Sequence, residues 1–229
     1  MTQPSPSPVL LTVRGTLAPR DLEAARTLHN DTAGSAQGIA AARSLGDLSH
    51  KAYAPLPLEG ISRAKAGELL FIDTWLTPEG IGQFFGNPEI GKSAGAMFTA
   101  RDATVWMPAR GAFTYHLPAP MAKTERYVGM IRGPVASPEA AIEIFAAAVR
   151  RAQPDARRRG HLSHELYVKL PLPGTQGPLE LLGVDRWCSL EGLREHYTDA
   201  SAMSGFGGAF SGPAEPTVWQ QAPGAWNEW

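Results

Sequence analysis

GDLSHKAYAPL at residues 46–56 and GHLSHELYVKL at residues 160–170 are two copies of one pattern, 114 positions apart. Each reads as a half-buried strand carrying a histidine, and a repeat of this kind decides the architecture before any single element is assigned. The likeness extends outward from it. FIDTWLTPEGI (71–81) matches GVDRWCSLEGL (183–193), so that Asp73/Asp185, Trp75/Trp187, Glu79/Glu191 and Gly80/Gly192 coincide. TVW at 104–106 answers TVW at 217–219, VRG at 13–15 answers IRG at 131–133, and ARGAFTYH (109–116) runs parallel to APGAWNEW (222–229). The expected organisation is a first repeat over 1–116 and a second over 126–229. The Pro-rich stretch LPAPMAKTE at 117–125 reads as the linker between them.

Both repeats carry the same succession of elements. A short apolar strand (VLLTVRG; YVGMIRG) precedes an Ala-rich helical stretch (DLEAARTLHNDTAG; SPEAAIEIFAAAVRRA). The GxLSHxxYxxL strand follows, then a loop rich in Pro and Gly, then a second strand (ELLFIDTW; LELLGVDRW). A second helix opens on Thr77-Pro78-Glu79 or on Ser189-Leu190-Glu191, where a hydroxyl caps free amides and an early acid suits the helix dipole. The TVW strand closes the unit. This is the β-α-β-β-α-β order of a ferredoxin-like unit, an α+β fold with helices on one face of its sheet. The open face needs a cover. A second copy in the same chain supplies one, which predicts two repeats packed sheet to sheet as a pseudo-dimeric α/β barrel within one chain.

Hydrophobic residues make up 43 % of the 229, charged residues 19 %, and the formal net charge is −1, which describes an ordinary globular chain. A charge this close to zero argues against nucleic acid or an anionic membrane as partner, because both select a basic face. The run Arg157-Arg158-Arg159 reads as a solvated loop before a strand. Cys188 is the only cysteine, which excludes an internal disulfide and fits a reducing cytoplasm. MTQPSPSPV lacks the basic and apolar regions of a signal peptide. No apolar run approaches the roughly 18 residues of a membrane span. The expectation is a cytoplasmic protein without membrane contact.

Period-two alternation puts His50 with Leu48 and Ala52, and His164 with Leu162, Leu166 and Val168, on the more apolar face of each strand. On the next strand Asp73 shares a face with Phe71 and Trp75, and Asp185 with Gly183 and Trp187. Opposed residues in a hairpin have a constant sum of numbers. Pairing His50 with Asp73 centres the first hairpin between 61 and 62, and pairing His164 with Asp185 centres the second between 174 and 175. Both centres fall inside the Pro- and Gly-rich loops, so two loops of different length predict the same His–Asp pairing. Such a pair fixes register and satisfies two polar groups. It is also the arrangement of an acid–base dyad, in which the carboxylate orients the ring and raises its basicity. One His and one Asp per copy fall short of the three or more ligands a metal requires, so no metal is expected.

His29-Asn30 ends the first helix and has no counterpart in the Ala-rich second copy, which offers polar groups at a pocket mouth. Tyr115 and His116 read as surface or linker residues, and His196-Tyr197 as packing positions. MSGFGGAF (203–210) lacks the Lys-Ser/Thr of a phosphate loop and reads as a tight turn. Trp75, Trp106, Trp187 and Trp219 recur in pairs, as core residues do.

The repeated pattern resembles, over nearly the whole chain, the dimeric α/β-barrel superfamily in a fused tandem form. That superfamily includes antibiotic-biosynthesis monooxygenase-like proteins, haem-degrading monooxygenases, stress-responsive barrel proteins and the chlorite dismutase family; the first group is the nearest look. The resemblance implies cofactor-independent oxygenation of a small aromatic or enolic molecule. His50 would then deprotonate the substrate and Asp73 would orient it, with His29, Asn30, Trp75, His164, Asp185 and Trp187 binding substrate. No cofactor is expected on that reading. A haem-binding or haem-degrading barrel is the alternative, with His29, His50 or His164 as axial ligand. A non-catalytic stress-responsive or ligand-binding module is a third reading. The partner is a small molecule, and the GAF and GAW segments leave room for a homodimer.

Overall fold

The computed structural model describes residues 7–116, 126–171 and 177–229. The linker expected at 117–125 and the centre of the second hairpin lie outside these residues. The chain divides into two units. Unit 1 takes the chain up to Pro55, Lys65–Met107 and Gln221–Trp229; unit 2 takes Leu56–Ala64 and Pro108–Gln220.

Unit 1 contains β1 (Val9–Leu17), α1 (Leu22–Asp31), α2 (Ala36–Ser44), β2 (Asp47–Pro55), β3 (Glu68–Trp75), α3 (Pro78–Phe85), α4 (Pro88–Met97) and β4 (Phe98–Pro108). Its strands run in the order β4-β1-β3-β2, all neighbours antiparallel in the registers described. Each helix starts on a side chain that accepts an amide hydrogen bond, from Asp21, Ser35, Thr77 and Asn87 in turn. The single helix expected after β1 is interrupted. Thr32–Ser35 break it, and Ser35 caps a new start at Ala36.

Unit 2 contains β5 (Tyr115–His116), β6 (Tyr127–Pro134), α5 (Pro138–Arg158), β7 (His161–Lys169), β8 (Glu180–Trp187), α6 (Leu190–Thr198), α7 (Ala200–Met203) and β9 (Glu215–Gln221). The order β9-β6-β8-β7 repeats that of unit 1, and β5 adds an edge beside β7. Apolar residues recur along α5 at helical spacing, and Ala141, Ile142, Phe145, Val149 and Ala152 are buried against the sheet. Arg157 and Arg158 close this helix and Arg159 caps it, reaching Asp199 at 2.9 Å, so the basic run is a helix end and not a solvated loop. MSGFGGAF is likewise not a simple tight turn. It ends α7, passes through Gly205 at φ 96°, and forms a 3-10 helix over Phe206–Ala209.

The glycine that opens each quoted motif has a backbone reason. Gly46 (φ 99°) and Gly160 (φ 95°) lie in the left-handed region, which a side chain disfavours, as the chain turns from helix into β2 or β7. The final strand-like segments also repeat. Tyr115 pairs with His164 on β7. Trp229 exchanges backbone hydrogen bonds of 3.2 and 2.8 Å with His50 on β2. The geometric counterpart of Tyr115 is therefore Trp229, one residue away from the Glu228 that the sequence alignment gives. No helix among the described residues is long and apolar enough to cross a membrane.

Candidate functional site

The ladder of unit 2 places His164 opposite Asp185, and that of unit 1 places His50 opposite Asp73, as the hairpin register predicts. In each pair imidazole Nδ1 lies 2.7 Å from the aspartate Oδ1. Both ladders also slip by one residue, between Asp47 and Ser49 and between His161 and Ser163. A bulge of this kind re-aims a side chain. Strict alternation would put His161 and His164 on opposite faces; the bulge brings both to Asp185. His161 Nε2 lies 3.2 Å from Asp185 Oδ1, an ion-pair distance without the alignment of a hydrogen bond. Sequence reasoning overlooked His161 for this reason. Leu48 shows the same departure, for it is exposed although alternation pairs it with buried His50.

A cavity of about 250 Å³ opens in unit 2 between the sheet and the helical elements α5, α6 and α7. Its polar end is formed by His161, His164, Asp185, Tyr115, His196 and Tyr197. Met130, Ile131, Phe145, Val149, Met203 and Phe206 supply most of an apolar wall. The lining residues include no lysine or arginine among the described residues. Tyr115, expected at the surface, is buried with its hydroxyl 2.5 Å from His161 Nδ1. Tyr197, expected to be a packing residue, donates its hydroxyl to Asp185 Oδ2 at 3.0 Å. Strand alternation gave no hint of either contact, because Tyr115 reaches His161 from 46 residues away and Tyr197 reaches Asp185 from the following helix.

Burial pushes the Asp185 carboxyl up, but the imidazoles of His161 and His164 outweigh it and hold the group well below its ordinary range. Asp185 is therefore a carboxylate that accepts from its neighbours, which fixes the proton of His164 on Nδ1. His164 Nε2 is buried, and no described residue accepts from it or donates to it. Burial, followed by the charge of Asp185, raises Tyr115 and Tyr197, so both hydroxyls keep their protons. Burial lowers His196 to about 4, leaving it neutral.

The corresponding region of unit 1 is filled. His50 stacks on Trp229 (ring centroids 4.7 Å), on Phe71 (4.9 Å) and on His29 (4.9 Å). His29 Nε2 lies 2.9 Å from His50 Nε2. Burial opposes protonation of His50, yet Asp73 and then Asp47 and Glu228 raise it, while burial and the neighbouring His50 lower His29 to about 4. His50 is accordingly the donor in that contact. Asn30 does not line this cavity; it accepts from Asn227 N and donates to Ala225 O, anchoring the C-terminal segment. Trp75 packs on Phe84 in the core of unit 1. Trp187 stacks on His161 at 4.3 Å and supports the site from behind. Of the eight residues singled out from sequence, the structure brings His164 and Asp185 to the cavity wall, whereas His50, Asp73, His29, Asn30, Trp75 and Trp187 are absent from its lining. Among the described residues no group of three or more potential ligands could hold a metal.

Comparison with known protein families finds no match, and comparison with curated proteins finds none either. Solved structures do match. An anthrone oxidase-like protein superposes with a TM-score of 0.64 at 14 % identity, over 94 % of this chain and 91 % of that one. A candidate monooxygenase of Fusobacterium nucleatum subsp. nucleatum gives 0.59 at 10 % identity, over 94 % and 93 %. A candidate chlorite dismutase gives 0.51 at 10 % identity, over 95 % and 96 %. The chain has the α+β fold of the dimeric α/β-barrel proteins, with two ferredoxin-like units in one chain.

Proposed function

We propose that the protein is a cofactor-independent oxygenase of a small, uncharged aromatic or enolic molecule, and that its chemistry belongs to unit 2. The observation that carries this reading is His164: Nδ1 tied to a charged Asp185, Nε2 without a protein partner, and a cavity against the ring. In this arrangement His164 Nε2 takes a proton from an acidic C–H or O–H of the substrate, and Asp185 stabilises the imidazolium. The resulting electron-rich anion reacts with dioxygen. For a methylene substrate the balance is one methylene group and one dioxygen giving one ketone carbonyl and one water. The carbanion adds dioxygen to form a peroxide, the peroxide takes back the proton, and loss of water leaves the ketone. The roles that the sequence resemblance assigns to His50 and Asp73 thus pass to His164 and Asp185. The absence of lysine and arginine among the described lining residues suits a neutral substrate, and the apolar wall suits its ring system. The exposed thiol of Cys188 is in keeping with a reducing, cytoplasmic setting.

A haem fits the residues poorly. His164 Nε2 has the chemistry of an axial ligand, but sites for drug-sized molecules span roughly 300–1,000 Å³. The cavity, at about 250 Å³, falls below even that range. The cofactor-free reading is therefore preferred.

The test is oxygen uptake with anthrone as probe, with anthraquinone as the measured product. His164→Ala should lower the rate by about 10²–10⁴-fold, the range of a positioned general base. Full activity in that variant would remove the base from the proposal. A Soret band on adding haem, lost in the same variant, would favour the haem reading instead.

A further inference from the structure

Asp185 is held at both of its oxygens. Oδ1 takes His164 Nδ1 at 2.7 Å and lies 3.2 Å from His161 Nε2, while Oδ2 accepts from the Tyr197 hydroxyl at 3.0 Å. A glycine lets that hydroxyl in. Gly129 of β6 lies opposite Asp185 on β8, and a Cβ built on it would collide with the Tyr197 hydroxyl oxygen and stand 2.8 Å from Cε2 and Cζ of the ring. No side chain fits at position 129 while Tyr197 keeps this place. The φ of Gly129 is not among the positive values, so its conformation gives no reason for glycine here. A glycine inside a strand often marks a close approach of another group to the backbone, and here that group is the Tyr197 phenol.

Unit 1 repeats the topology without this contact. Leu11 of β1 lies opposite Asp73 as Gly129 lies opposite Asp185, and Leu11 is buried. In the repeat, Phe85 stands where Tyr197 stands, and a phenyl ring has no hydrogen to donate. Glycine and tyrosine thus occur together in one unit, leucine and phenylalanine in the other. An aspartate gripped at one oxygen can swing about its terminal torsion, which is broad. A second donor on Oδ2 removes that freedom and keeps Oδ1 on His164. We propose that Tyr197 is a positioning residue for His164, acting through Asp185, and that Gly129 provides the space its hydroxyl needs. The hydroxyl also draws on the carboxylate charge, so its removal leaves more of that charge to stabilise the His164 imidazolium. Of the other titratable groups facing Asp185, Tyr115 of β5 keeps its proton, with Arg157 of α5 over its ring at 4.7 Å. His196 of α6 is neutral, with Arg159 and Asp199 around it, which leaves His161 of β7 to be followed alongside His164. The inference rests on the proposed function in treating His164 as the base, but the hydrogen-bond chain is tested apart from turnover.

The experiment is a pH titration of the histidine rings by long-range 1H–15N spectra, in which His164 and His161 are followed separately. In Tyr197→Phe the pH at which His164 gains its second ring proton should rise by about one unit, the size of one hydrogen bond to a charged group. Gly129→Ala should shift it in the same direction by displacing the phenol, and the double variant should rise no further than Tyr197→Phe alone. Should Gly129→Ala fail to fold, Tyr197→Phe decides by itself. In anaerobic calorimetry 1-naphthol, a neutral hydroxyaromatic, should bind wild type and Tyr197→Phe with equal affinity, because the ring that lines the cavity is kept. An unmoved midpoint in folded Tyr197→Phe would overturn the proposal. Loss of 1-naphthol binding in that variant would do so too, by making the hydroxyl a ligand contact. A shifted midpoint in a protein that does not oxidise anthrone would uphold the positioning role and sink the oxygenase reading; anthrone oxidation with an unmoved midpoint would do the reverse.

Discussion

Asp47 and His161 hold equivalent places in the two bulged strands, and that one difference sets the charge of each site. In unit 2 an imidazole stands beside Asp185 and keeps it ionised. In unit 1 a second carboxyl stands near Asp73, and burial followed by repulsion from Asp73 raises Asp47 to about 8. The folded protein therefore holds the Asp47 proton up to about pH 8, whereas the unfolded chain releases it near its ordinary value of 3.8. The folded state binds more protons across that interval, so its stability falls as pH rises through it. Asp47→Asn, which imitates the neutral acid, should raise Tm above wild type at pH 8 and leave it unchanged near pH 4, as read by calorimetry. At this scale the sequence was informative about the His–Asp pairs. The roles of Tyr115, His161 and Tyr197 were hidden, because they depend on a partner far along the chain, on a bulge, and on how a helix docks on its preceding strand, in that order.

Repetition of sequence predicted the β-α-β-β-α-β order, the helix starts at Thr77 and Ser189, and the two hairpin registers. Period-two reading failed only where the strand itself departs from alternation, at the bulge after Asp47 and His161. It could not indicate that the terminal segment 222–229 would pack in unit 1. That segment contributes Trp226, whose ring meets His29 at 5.3 Å and Phe71 at 5.9 Å. Trp226 is buried, so truncation to alanine leaves a void among aromatic rings. Trp226→Ala should cost about 3–5 kcal/mol, the range for buried aromatic residues. Chemical denaturation measures this, and 1-naphthol affinity at unit 2 should be unchanged by it.

Over the whole chain, two units of the same topology have diverged in one region. Unit 1 fills it with Phe71, Trp226 and Trp229 around His50; unit 2 leaves a cavity beside His164 and surrounds it with groups that hold a proton in place. Composition and charge argued against nucleic-acid and anionic-membrane partners, but the choice between the two histidine strands could not be made there, since their patterns are nearly identical. Only the volumes around them decide it. The most direct test is a long-range 1H–15N spectrum of the six histidines during anaerobic titration with 1-naphthol. The ring resonances of His164 and His161 should shift with ligand while those of His50 and His29 stay fixed. Shifts at His50 and His29 with His164 unmoved would place the site in the other unit and contradict it.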